Sequence, residues 1–232
     1  MIDFSDIFAQ SLKIILMLDM KYLEIIYASL NVSFVAVFIA STFSIVISAI
    51  ISLSDFKFKT SLMIVINSLL ALPPVVIGLV LYILFSTKGY FGAFNILYTI
   101  NIMIIAQIIL VTPLMISLCK DSIDGVKVKL DEYLYIINCP YQWKVLTLIY
   151  ECKSRIILNI IIALGRALSE VGAIIIVGGN IAHLTRTMTT GIVVETSKGD
   201  LAMALSLGLT LLFISLMINF IIFLLTSNLK NG

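Results

Sequence analysis

Charge is what this chain has least of. Asp, Glu, Lys and Arg make up 12% of its 232 residues, against roughly 25% in soluble domains. Apolar residues supply 61% and the mean hydropathy is +1.15. That balance excludes a soluble globule and predicts an integral membrane protein folded as one bundle. Histidine occurs once, at His183, and cysteine three times, at Cys119, Cys139 and Cys152. Neither a Cys pair nor a Cys/His pair has zinc-ligand spacing, so a metal or redox centre is not expected. One histidine in a loop also excludes a Ser/His/Asp or Cys/His catalytic set. No phosphate loop of the GxxxxGK[ST] type is present, and Gly89 to Gly92 reads as a turn between spans. The net charge of +2, without a basic run interleaved with aromatics, gives no footprint for nucleic acid. Asp3, Asp6 and Asp19 punctuate the start, so no signal-peptide pattern is read there.

What remains is long apolar runs. Ile25 to Ser54, Thr60 to Thr87, Gly89 to Cys119 and Leu201 to Leu229 each lack any charge. Each exceeds the roughly 20 residues that a helix needs to cross the hydrocarbon core. They lack the period-2 alternation of barrel strands, which leaves helices. A fifth run, about Ile156 to Gly179, contains Arg166 and Glu170. Five transmembrane helices are therefore expected. Phe4 to Leu18 is shorter and bounded by charge, which reads as an interfacial helix, with a sixth span as the alternative. With the polar stretch Lys120 to Arg155 in the cytoplasm, nine basic residues lie inside and five outside. That excess orients the N-terminus outside and the C-terminus inside.

Three patterns stand out within the spans. Ala36, Ala40, Ser44, Ser48 and Ser52 recur every fourth residue, a small-residue stripe that suits close helix packing within the chain or between subunits. Pro73 and Pro74 remove two backbone donors, so the second span must kink or break. The break either lines a pathway or only shapes the bundle. Arg166 and Glu170 sit at i and i+4 on one helix face. A charge at mid-bilayer costs roughly 2.5–3.5 kcal/mol on insertion scales and turns toward protein or water. The pair either ties helices together or lines a passage where the guanidinium meets an anion.

Lys120 to Arg155 carries Tyr133, Tyr135, Tyr141, Trp143 and Tyr150 among its charges, which suits docking rather than free solvation. A short helix over Asp131 to Ile137 is expected, broken at Asn138-Cys139-Pro140. A second helix should run from Pro140 to about Lys153, with asparagine capping just before the proline.

This segment resembles the cytoplasmic loop of type I ABC importer permeases and its Glu-Ala-Ala-x-x-x-Gly signature. Glu132 matches the glutamate, Tyr133 and Leu134 replace the alanines, and Asn138 replaces the glycine. Leu148 and Glu151 stand where the family has isoleucine and usually proline. The next helix, Gly165-Arg166-Ala167-Leu168-Ser169-Glu170-Val171-Gly172-Ala173 followed by Gly178-Gly179-Asn180-Ile181, looks like the molybdate/tungstate branch, most like its tungstate permeases. The resemblance implies an all-α membrane protein with five spans, an N-terminal interfacial segment (1-23), a permease domain (24-225) with a coupling loop at about 120-155, and a short tail (226-232). It implies alternating-access import of an oxyanion, tungstate or alternatively molybdate, across the cytoplasmic membrane. The partners implied are a second copy of the chain, a cytoplasmic ATPase dimer that binds ATP and Mg, and an external oxyanion-binding protein. No cofactor and no catalysis are expected of this chain. The coupling residues implied are Glu132, Tyr133, Leu134, Asn138 and Pro140. The pathway residues are Pro73, Pro74, Arg166, Ser169, Glu170, Gly172 and Asn180. From His183 to Asp200 a threonine-rich run should form the outer mouth.

Two other classes compete. A secondary transporter or channel would work alone through Arg166 and Glu170, but five spans do not divide into equal inverted repeats. An intramembrane enzyme would need a nucleophile–base set or a metal cluster, and none is visible.

Overall fold

In a computed structural model the residues described are 4–231, with side chains to 226. Met1 to Asp3 and Gly232, at the ends of the segments 1-23 and 226-232, and the Lys230 side chain lie outside the described residues. Those residues form helices and no strand. In chain order they are α1 (Phe4–Met17), α2 (Met20–Leu53), α3 (Lys59–Leu70), α4 (Pro74–Phe85), α5 (Ile100–Ile136), α6 (Tyr141–Glu151), α7 (Lys153–Leu168), α8 (Gly172–Gly178), α9 (Met188–Lys198) and α10 (Leu201–Asn231). Among them α2, α5 and α10 are long and apolar enough to cross a membrane. Two bent pairs, α3 with α4 at 92° and α7 with α8 at 59°, raise the number of candidate crossings from 3 to 5.

The bundle is built on α2 and α5. The small-residue stripe of α2 faces α5, and Ala36, Ala40, Ser44, Ser48 and Ser52 are all buried. Serine hydroxyls use the close approach. Ser44 donates to the Thr112 carbonyl at 3.3 Å, Ser48 to the Ile116 carbonyl at 3.0 Å, and Ser52 to the Asp124 carboxylate. The stripe is thus consumed by packing within the chain.

The proline prediction is met by a full break. Pro73 takes φ −63° and ψ 123°, and Pro74 becomes the first residue of α4, where a missing N–H costs nothing. The fifth expected span is two helices, not one. Ser169 and Glu170 close α7 with short-range bonds to the Gly165 and Ala167 carbonyls, and α8 restarts at Gly172.

Two further expectations change. The run from Gly89 to Cys119 is not helical throughout, because α5 begins only at Ile100. Before it, Gly89 and Gly92 fold the chain back so that the Phe91 N–H reaches the Leu84 carbonyl at 2.8 Å. A Cβ on Gly89 would lie 2.3 Å from the Ile83 carbonyl oxygen. At its far end α5 does not stop at Cys119. It continues to Ile136, 37 residues in all, which is about 55 Å at 1.5 Å per residue and well beyond a hydrocarbon core of about 30 Å. The helix expected over Asp131 to Ile137 is therefore the end of α5. Charged residues such as Lys120 and Asp124 do not break a helix, and the i,i+4 pair between them, 2.5 Å, supports it.

Candidate functional site

The polar end of α5 and all of α6 form the first candidate surface. Asn138 carries φ +47°, the left-handed conformation that closes a helix. Its N–H bonds the Tyr135 carbonyl at 3.0 Å, and the Cys139 N–H reaches back to Leu134 at 3.1 Å. This is the bond pair of a Schellman stop. Asparagine tolerates that conformation next best after glycine, so it fills the signature's glycine position for a backbone reason. The expected role differs in one respect: Asn138 ends α5, and Pro140 itself, φ −60° and ψ 148°, is the N-cap of α6.

Among the residues expected to couple, Leu134 is buried, in one apolar cluster with Leu148 and Cys152 that fixes α5 against α6. Glu132 and Tyr133 are exposed, as are Tyr135, Tyr141, Trp143 and Tyr150. Asp131, Glu132, Tyr135, Ile136 and Lys144 line an open depression of about 400 Å³. An anchored helix turn presenting aromatics and a carboxylate has the chemistry of a protein-docking face.

The second candidate is where the two broken spans meet. α8 packs on α4, and glycine sets the distance. A Cβ on Gly78 would lie 2.9 Å from Ala173 Cα, and one on Gly172 would lie 2.7 Å from Val75 Cγ2. Pro73 and Pro74, next to Val75 in the chain, are therefore carried beside Gly172. At the same break, Arg166 Nη1 donates to Glu170 Oε2 at 2.9 Å. The pair is asymmetric. The Arg166 side chain is 50% exposed and that of Glu170 is 5% exposed. Glu170 Oε1 also accepts the Ala173 N–H at 3.4 Å, at the start of α8. Buried and doubly bonded, Glu170 acts as an anchor, while Arg166 faces an open groove between α7 and α10. Ser169 lies beside it and donates to the Arg166 carbonyl at 2.9 Å.

Asn180 is elsewhere. It is buried, with φ +49°, and accepts from the Thr190 hydroxyl at 2.8 Å. Around it the run His183 to Asp200 folds into α9 rather than a plain loop. Thr187 and Thr190 form a reciprocal capping box at its start, and Ser29 on α2 accepts the Met188 N–H at 2.6 Å. Glu195 is held by Arg186 at 3.0 Å and Lys198 at 2.9 Å. His183 meets Glu24 at 2.6 Å on the exposed side. This end is an ordered polar cap, with Asn180 as one of its fasteners.

Several polar residues escaped the reading of the sequence. Gln107, in the middle of α5, is buried and donates to the Ala167 carbonyl at 2.8 Å, holding the end of α7. Asn159 on α7 donates to Ser122 at 3.0 Å. Ser215 and Asn219 of α10 line the groove with Arg166. The signal was present for Asn219, because an amide inside an uncharged span needs a protein or water neighbour.

The chain matches no protein-family model. It is similar to curated proteins along most of its length. It is 36% identical to the tungstate uptake system permease protein TupB of Peptoclostridium acidaminophilum over 216 residues, 93% of this chain and 95% of that protein. It is 38% identical to the protein of the same description from Campylobacter jejuni over 167 residues, 72% of this chain and 70% of that protein. Against the molybdenum transport system permease protein ModB of Escherichia coli it is 28% identical over 210 residues, 84% of this chain and 91% of that protein.

Proposed function

This chain belongs to the ABC transporter permeases of the tungstate and molybdate type, and on that premise we propose that it passes an oxyanion inward across the cytoplasmic membrane by alternating access. Tungstate is the first candidate cargo and molybdate the second. The observation that carries the cargo class is Arg166, a half-exposed guanidinium in the last turn of α7, held from behind by buried Glu170. Its planar fork suits an oxyanion, and the neighbouring carboxylate keeps such binding weak enough for release.

The working unit is a pair of these chains, two cytoplasmic ATPase subunits and an external oxyanion-binding protein. In this reading each bent pair is one span, which makes five, and α1 lies along the outer surface. At 14 residues, about 21 Å, α1 is too short to cross. Residues 24-225 form the permease unit, with the N-terminus outside and the C-terminus in the cytoplasm. The ATPase holds ATP and Mg and docks on the exposed face of α6 and Glu132. Its closure pushes α6, and α7 follows because one residue, Cys152, separates them. The far end of α7 carries Arg166 and the break at Ser169 to Gly172, beside Pro73 and Pro74 at the start of α4. A shift of α6 therefore reaches the junction of the two broken spans. Asn180 would hold the outer cap in register as the junction moves.

The test is to purify the chain from its native membrane and identify what accompanies it. An ATPase subunit together with an oxyanion-binding protein supports the proposal. Purified chain that moves oxyanion alone, down a gradient and without ATP, would instead favour a secondary transporter or channel.

A further inference from the structure

We propose that Ser215 and Asn219 of α10 complete, with Arg166 of α7, an oxyanion-contacting site in the groove between those two helices. The inference rests on the oxyanion-permease reading above and adds two residues from a helix that neither the motifs nor the pathway assignment includes. The groove encloses about 390 Å³, with Arg166, Ser169, Ser215 and Asn219 as its polar lining. Gly165 faces Ile218 of α10 across the groove, where a Cβ would lie at ordinary contact distance, 3.8 Å.

Hydrogen-bond accounting selects the members. Ser169 is spent on the Arg166 carbonyl at 2.9 Å. Asn219 gives one amide N–H to the Ser215 carbonyl at 2.9 Å, leaving the second N–H. Among the described residues, the Ser215 hydroxyl has no protein partner, and Arg166 has no acceptor besides Glu170. The unspent donors are thus guanidinium N–H groups, one hydroxyl and one amide N–H, gathered on one groove. Hydrocarbon satisfies none of them, and α10 is little covered by its own chain here, with Phe213, Leu216, Met217 and Phe220 all exposed around Ser215 and Asn219. A water-lined passage carrying a tetrahedral oxyanion satisfies all three at once, with its charge against that of Arg166.

The experiment uses the permease–ATPase complex reconstituted in vesicles, with the oxyanion-binding protein supplied on the opposite side from ATP. Asn219→Cys is treated with a charged, water-borne thiol reagent, and labelling is read at that peptide by mass. Leu216→Cys, on the exposed apolar side of the same helix, is the control. The expected result is labelling at 219, slowed severalfold by saturating tungstate or molybdate, and none at 216, because a thiol in lipid does not ionise. Asn219→Leu should lower uptake or raise the half-saturating concentration about tenfold, the scale of one lost bond to a charged group, with ATPase binding intact. Asn219→Gln should retain most of it. No labelling at 219, labelling indifferent to oxyanion, or unchanged uptake in Asn219→Leu would overturn the inference. If the unsubstituted complex accumulates no oxyanion, the parent reading fails instead.

Discussion

Gly172 lies against Val75 so closely that a Cβ would come within 2.7 Å of Val75 Cγ2, and this contact joins the restart of one broken span to the restart of the other. Gly78 makes the neighbouring contact with the Ala173 backbone at 2.9 Å. A valine methyl can rotate away, but backbone cannot. Gly78→Ala should therefore cost more than Gly172→Ala, on the order of 1–3 kcal/mol for overpacking. Thermal unfolding of the two variants in detergent checks the order. Equal stability would mean that the junction is looser than described.

The left-handed Asn138 makes a second prediction about α5 and α6. Asn138→Gly should be neutral or slightly stabilising, because glycine adopts that conformation freely. Asn138→Val should destabilise by about 1–2 kcal/mol, the cost of a side chain with a branched Cβ in that region, and should lower coupling to the ATPase. Proteolysis of the α5–α6 turn together with ATPase binding measures both.

Glu132 is exposed, so its removal should leave the fold within about 0.5 kcal/mol of the parent. Glu132→Ala is expected to uncouple ATP hydrolysis from uptake in vesicles that contain the ATPase and the binding protein. Unchanged coupling would remove the docking role from this face.

The cysteines report on orientation. Cys119 and Cys152 are buried, and Cys139 is partly exposed beside the α5–α6 turn. Burial pushes the Cys152 thiol above its ordinary range, against the opposing pull of Arg155. A raised pKa leaves less thiolate at neutral pH, and thiolate is the reactive form. A membrane-impermeant maleimide should therefore label Cys139 in preference, and only from the cytoplasmic side. Labelling from outside would invert the topology.

How far the sequence alone reaches is clear from particular residues. The uncharged run of α2, the small-residue stripe and the break at Pro73-Pro74 were legible because each is a local rule: hydropathy, spacing or a missing N–H. The helix–break–helix of Lys120 to Arg155 is legible in outline, but the sequence does not show that Asn138 ends α5 rather than capping α6. The second break, between α7 and α8, was not legible. No proline marks it, and it is made by tertiary contacts: Val75 against Gly172, and Glu170 turned back onto the Ala173 amide. The continuity of α5 through Lys120 is not legible, because a rise in charge marks the end of the apolar run and not the end of the helix. Gln107 looks like an ordinary polar interruption until its bond to the Ala167 carbonyl is known, whereas Asn219, an amide inside an uncharged span, already calls for a polar neighbour.

The most direct measurement is oxyanion uptake into vesicles that carry the permease with its copurified ATPase and binding protein. Tungstate, or failing that molybdate, should accumulate against its gradient only when ATP is present on the α6 side and the binding protein on the other. Substituting Arg166 with alanine should lower that uptake. Transport by the permease alone, or no accumulation of either oxyanion by the complete assembly, would contradict it.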